Sequence, residues 1–224
     1  MITRRRLLIG GLASIAAYPE CSRCQTLSEG CLIAIDQAQA LLGHEQVWVS
    51  YSSVETGSGD RDFDRALAET LVFLSDRFFV LPSFAFVNEP GSPNAFAFTT
   101  WRMGRLDGSV LFGRKMFQKV MSRPEHPEIG IVAVCAHEFG HIAQSKYGVD
   151  NRLVGSSRRT KRLELHADFL SGYFAGIKRL LNPSYPAATF ALTQFGFGDY
   201  SDDINHHGTP DERGAAVVAG YKAG

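Results

Sequence analysis

The chain has 224 residues, 45% of them hydrophobic, which suffices for one buried core and hardly for two independent ones. Lysine plus arginine number 23, and so do aspartate plus glutamate, so there is no basic field to hold nucleic acid and no acidic tail to hold a basic partner. A single domain acting on a small-molecule or peptide ligand is what remains.

The opening stretch, MITRRRLLIGGLASIAAYPEC, places Arg4, Arg5 and Arg6 before an apolar run from Leu7 to Ala17 that ends in small residues. This order predicts an export signal over residues 1–20 and a mature domain over 21–224. The run falls short of the ~20 apolar residues that span a bilayer, so no stable membrane span is expected in the mature chain. TRRRLL resembles a twin-arginine signal, and export by that route or by Sec would deliver the protein to the periplasm. Cys21, Cys24 and Cys31 follow closely, and in an oxidising compartment two of them are expected to pair.

Residues 26–43 read as a helix, opened by Thr26 and Glu29 at capping-box spacing and closed by Gly43. Over residues 60–78, Phe63, Leu67, Leu71, Leu74 and Phe78 recur at three- and four-residue steps, the apolar face of another helix. Short strands follow: FAFV, the turn-rich NEPGSPN, AFAFTTW and GSVLFG predict a small sheet. Helical spacing returns between Pro127 and Tyr147, with Pro124 and Pro127 at the entrance and Gly148 at the exit. A polar loop leads to a helix over residues 160–181, and shorter helices over 187–195 and 210–221 flank the loop GFGDYSDDINHHG.

The segment VCAHEFGHIA lies in the middle of the 127–147 helix. There His137 and His141, four residues apart, share a face and can offer two imidazole nitrogens to one ion. Glu138, between them, is placed to take a proton from an activated water and return it to a leaving amine. Cys135, beside the first histidine, reads as a small core residue. A catalytic zinc needs a third protein ligand and an open position. The metzincin extension would require Gly at Gln144 and His at Tyr147, which excludes that class. Asp211 of GTPD is one candidate, although Gly214 stands where the associated motif needs tyrosine. RLELHADFLSG is the better one. Glu164 and Asp168 share a helix face there, Glu164 to complete the metal shell and Asp168 to accept the remaining N–H of His137. His166 faces elsewhere and reads as structural.

Four segments, NAFAF with GSVLFGRKMF, CAHEFGHIAQ, RLELHADFLSGYFAG and HHGTPDERGAAV, stand in an order that resembles the HtpX-like gluzincin peptidases, especially the bacterial neutral zinc metallopeptidases. The resemblance covers residues 93–220. It implies one Zn²⁺ on His137, His141 and Glu164, Glu138 as general base and acid, and Asp168 behind the first histidine. It further implies that NAFAF is an edge strand along which an extended peptide adds. It places His207 near the cleft as an oxyanion stabiliser, with His206 able to exchange roles, and it makes Arg213 a tie between the last helix and the site.

The expectation is thus a compact α+β zincin-like fold, mostly helical, with a small mixed sheet whose edge strand lies over the active-site helix. Its function would be that of an exported zinc endopeptidase acting on peptides or unfolded protein. Two other readings stand beside it: a catalytically silent zinc-stabilised peptide-binding protein on the same fold, and a redox or interaction module built on the three N-terminal cysteines. Manganese or cobalt would suit the same donors less commonly than zinc.

Overall fold

A computed structural model describes residues 54–89, 91–99, 103–155, 159–201 and 206–224. The expected export signal, the helix expected over 26–43 and Cys21, Cys24 and Cys31 lie outside the described residues. The fold is mixed α+β, predominantly helical, with one four-stranded sheet. No described helix is long and apolar enough to cross a membrane.

Helix α1 (Arg61–Phe78) begins where Asp60 accepts hydrogen bonds from the backbone N–H groups of Asp62 and Phe63, a side-chain cap for two otherwise orphaned donors. Its buried positions, Leu67, Leu74 and Phe78, are three of the five read from the sequence, and Phe63 and Leu71 pack against the same core. The strands are β1 (Val54–Glu55), β2 (Ser83–Val87), β3 (Ala95–Phe98) and β4 (Ser109–Gly113), in the spatial order β1-β2-β4-β3. β2 and β4 run parallel, and the outer pairs are antiparallel. β3 therefore pairs on one side only among the described strands, with Ala95 opposite Phe112 and Phe98 opposite Ser109. Alternation divides its residues: Ala95 and Ala97 turn to the main core, Phe96 and Phe98 to a smaller cluster with Ala85, Val87 and Leu111.

Helix α2 (Arg114–Met121) follows β4 without a break and has no counterpart in the sequence reading. Its N-cap, Gly113, has no side chain to offer. Glu89 caps it instead, from the end of β2, through the N–H groups of Lys115 and Met116 at 3.1 and 2.8 Å.

Helix α3 (Pro127–Lys146) is the centre of the molecule: every residue from Gly130 to Gln144 is buried. A helix buried on all sides is enclosed by other elements, and this one touches α1, α2, β3, β4 and all the later helices down to α6. A five-residue helix, α4 (Asp150–Val154), interrupts the expected loop. Helices α5 (Lys161–Leu181), α6 (Ala188–Phe195) and α7 (Pro210–Ala223) match the expected segments closely.

Two close crossings set the geometry. Gly140 faces Ala167, and a Cβ on the glycine would stand 3.2 Å from the Ala167 Cα, so α3 and α5 approach almost backbone to backbone. At the other face of α5, a Cβ on Gly172 would overlap the carbonyl of Val217, and one on Gly220 the carbonyl of Phe169. These glycines let α7 lie directly on α5.

Candidate metal centre

The crossing of Gly140 with Ala167 explains why the sequence-predicted residues meet. Gly140 lies between His137 and His141, Ala167 between Glu164 and Asp168, so bringing the two small residues together faces both histidines with both carboxylates. All four are buried. The two Nε2 atoms of His137 and His141 are 3.1 Å apart, His137 Nε2 is 3.3 Å from Glu164 Oε2, and His141 Nε2 is 3.5 Å from Glu164 Oε1. Among the described residues this is the one group of three or more histidine, cysteine or acidic side chains whose donor atoms converge tightly enough to hold a metal ion.

The donor set fits zinc. Nitrogen and oxygen ligands about 2.0–2.1 Å from a tetrahedral zinc stand about 3.3 Å from one another, and the three separations here bracket that value. Both histidines also have their far nitrogen occupied, which turns Nε2 inward. His137 Nδ1 is 2.8 Å from Asp168 Oδ1, as the sequence led us to expect, and His141 Nδ1 is 2.9 Å from Gln144 Oε1.

Asp168 is held in turn. Arg213, reaching across from α7, donates Nε to Oδ2 at 2.8 Å and Nη2 to Oδ1 at 2.9 Å, a bidentate pair with both partners buried. The same guanidinium donates to Gln194 Oε1 at 3.0 Å and to the Phe197 carbonyl at 3.2 Å, and Gln194 Nε2 donates to the Ala133 carbonyl of α3 at 3.3 Å. Arg213 thus joins α7 to the site, and Gln194 carries the tie on to the central helix.

The charges follow from these contacts. Burial opposes ionisation of Asp168 most strongly, but Arg213 and His137 overcome it and hold the carboxyl below its usual range. Glu164 is driven well below its usual range by the two histidines, again against burial. Burial likewise disfavours charge on His137, yet Asp168 and Glu164 together push its imidazole up to about 10. Glu138 goes the other way: burial raises its carboxyl, and the two histidines only partly offset this. Burial also pushes the Cys135 thiol up, so it stays protonated and serves as a small core side chain.

A cleft of about 240 Å³ reaches the cluster at His137 and is lined by Pro93, Asn94 and Ala95 at the start of β3, by Met116, Val134 and Phe197, and by His137, Glu138, Gln194, His207 and Arg213. It is smaller than the ~300–1,000 Å³ pockets that enclose whole ligands. Glu138 Oε2 is buried and has no hydrogen-bond partner among the described residues.

The structure separates the two loop histidines. His207 lines the cleft, with Asp199 Oδ2 at 3.6 Å from its Nδ1 and 3.4 Å from its backbone nitrogen. His206 points to Asp199 Oδ1 at 2.6 Å and towards Glu212, and does not line the cleft. Asp211 is exposed in the first turn of α7 and takes no part in the donor cluster. His166 stacks on Phe169 and lies 3.1 Å from Gln144 Nε2, away from the three donors, in keeping with a structural part.

Gln144, Gln194 and Asp199 were not singled out from the sequence. Gln144 is three residues beyond His141 on the same helix, a spacing that could have flagged it, whereas Gln194 and Asp199 come into reach only through the fold. No family model matches the chain, and neither a curated protein nor a solved structure matches it.

Proposed function

We propose that the protein is a zinc-dependent endopeptidase of the HtpX-like gluzincin kind, with a zincin-like active site. The observation that carries this reading is the meeting of His137, His141 and Glu164 beside a cleft that His137 and Glu138 line. An ion held by these three side chains would supply Lewis acidity, polarising a carbonyl and making a water acidic near neutral pH.

The chain's own residues supply the rest. An extended peptide adds along the side of β3 that has no partner among the described strands, where Asn94 and Ala95 border the cleft, its main chain continuing the sheet. Glu138, with one buried oxygen uncommitted, accepts the proton of the attacking water and delivers it to the leaving amine. His207 faces the same space and donates to the oxygen on which negative charge develops. Asp168 and Arg213 do not touch substrate in this scheme; they fix His137. Peptides or unfolded protein are the substrates that an edge strand recognises, since backbone pairing is indifferent to most side chains. An exported, periplasmic enzyme is the setting that the arginine-led N-terminus suggests.

The test is hydrolysis of an unstructured protein by the zinc-loaded chain and by Glu138→Gln, with zinc quantified in both. Equal zinc with cleavage by the wild type alone is the expected result. Equal zinc with no cleavage by either would favour a silent peptide-binding protein on the same fold, and no zinc in either would remove the metal centre.

A further inference from the structure

The two histidines of the cluster are held by different chemistry. His137 gives its Nδ1 to a carboxylate, Asp168, that comes from α5. His141 gives its Nδ1 to a neutral amide, Gln144, that comes from its own helix. An amide offers oxygen on one side and NH₂ on the other, and the two ends look alike in shape, so the surroundings must decide which way it stands.

Here they do. Gln144 Nε2 lies 2.8 Å from the backbone carbonyl of Leu163, a group that can only accept. The atom facing that carbonyl is therefore the NH₂ end, and the oxygen is the end that faces His141 Nδ1 at 2.9 Å. An acceptor oxygen at that distance requires a proton on Nδ1. The second amide hydrogen points to His166 Nδ1 at 3.1 Å, which gives the NH₂ end another acceptor and the reversed amide another loss. Both contacts come from α5, and Leu163 directly precedes Glu164.

We propose that Gln144 is a positioning residue that locks His141 in the Nδ1–H tautomer and keeps the Nε2 lone pair aimed at the space shared with His137 and Glu164. Because the amide bridges His141 on α3 to the residue beside Glu164 on α5, it also fixes the separation of these two donors. The choice of amide over carboxylate has an electrostatic reason. Glu138, Glu164 and Asp168 already place three carboxyl groups in the cluster, and all are buried. A glutamate at 144 would add a fourth and set an acceptor oxygen against the Leu163 carbonyl. The amide orients the ring without adding charge. This role rests on the metal-centre reading given above.

The first experiment needs no variant: long-range proton–nitrogen correlation spectra of the histidine side chains in the metal-free protein, at neutral to mildly alkaline pH. His141 is expected with its proton on Nδ1 and an unprotonated Nε2. Gln144→Leu, similar in length without the polar atoms, is expected to release His141 into a mixture of tautomers while His137, still held by Asp168, keeps its Nδ1 proton. In chelator competition the same variant is expected to bind zinc ten- to a hundredfold more weakly. A merely structural glutamine would lower the unfolding temperature and leave the His141 tautomer and the zinc affinity as they were, which would overturn the role. An Nε2–H tautomer in a wild type that still binds zinc would overturn the role alone. A wild type that binds no zinc would remove the metal centre and the role together.

Discussion

Replacing Arg213 with methionine isolates what the guanidinium does for the site. In the wild type, Asp168 is buried and takes three charged or polar donors: Arg213 Nε, Arg213 Nη2 and His137 Nδ1. The variant keeps most of the apolar stem and removes two of the three, together with the hydrogen bonds to Gln194 and Phe197. Stranding one partner of a buried ion pair costs about 3–5 kcal/mol. For a chain of this length that corresponds to a fall in Tm of about 6–20 °C, read by circular dichroism on the metal-free protein. The pH dependence has a definite sign. The folded Asp168 carboxyl lies below its usual range, so its stabilising contribution is complete above the ordinary value near ~3.9 and drains away as pH falls through the folded value. Without Arg213 the opposition to burial weakens, the folded value climbs, and acid unfolding begins at higher pH. Arg213→Met combined with Asp168→Asn should cost less than the two changes summed, because no stranded carboxylate remains. A loss below about 1 kcal/mol for Arg213→Met, or strict additivity in the double variant, would refute the argument that Asp168 depends on this partner.

Three further outcomes can be measured. Gly172→Ala and Gly220→Ala each drive a Cβ into a backbone carbonyl of the facing helix, so α7 must move off α5 at a cost of about 1–3 kcal/mol or more. Weaker zinc binding should accompany the loss as Arg213 withdraws; Gly214→Ala, whose Cβ would sit 3.6 Å from the Phe195 ring, should be neutral or slightly stabilising, and equal unfolding temperatures for all three would contradict the crossing. Zinc at a thousandfold excess over its dissociation constant should add about 4 kcal/mol of stability that a chelator removes. Because the carboxylates raise the His137 imidazole to about 10, a proton must leave as the metal enters, and affinity should strengthen as pH rises through neutrality; calorimetry in buffers of different ionisation enthalpy counts that proton, and a pH-independent affinity would contradict it.

How far the sequence could be read depended on whether a feature was local. The spacing of His137, Glu138 and His141 on one helix, and of Glu164 and Asp168 on another, is a property of helical geometry alone, and the donor cluster formed from it. The apolar face of α1 was likewise visible because period and burial agree. Helix α2 was invisible for the opposite reason: its cap is Glu89, a residue 26 positions before Lys115, so nothing at Gly113 signals a start. The sequence left His206 and His207 interchangeable; Asp199 lies beside both, and what separates them is that His207 lines the cleft while His206 turns to Asp199 and Glu212. Gln144 sat in plain view beside His141, but its meaning depends on the Leu163 carbonyl, which only the approach of Gly140 to Ala167 brings near.

That approach also explains how a helix buried on every side tolerates so polar a segment. An unpaired buried charge would cost several kcal/mol, so each group must be answered by another within the core. His137 is answered by Asp168, Asp168 by Arg213, Arg213 further by Gln194, and His141 by Gln144, whose own donors end on the Leu163 carbonyl and His166. Each of these contacts removes freedom from a side chain that borders or supports the donor cluster. Within this segment of α3, Glu138 departs from the pattern: its Oε2 is buried, has no partner among the described residues, and belongs to a residue lining the cleft. Under the proposed hydrolysis, that oxygen beside the cleft is the one left to take a proton in transit. The cost of leaving it so is the physical reason to expect that Glu138→Gln, which removes the charge, would leave the protein at least as stable as the wild type while abolishing hydrolysis.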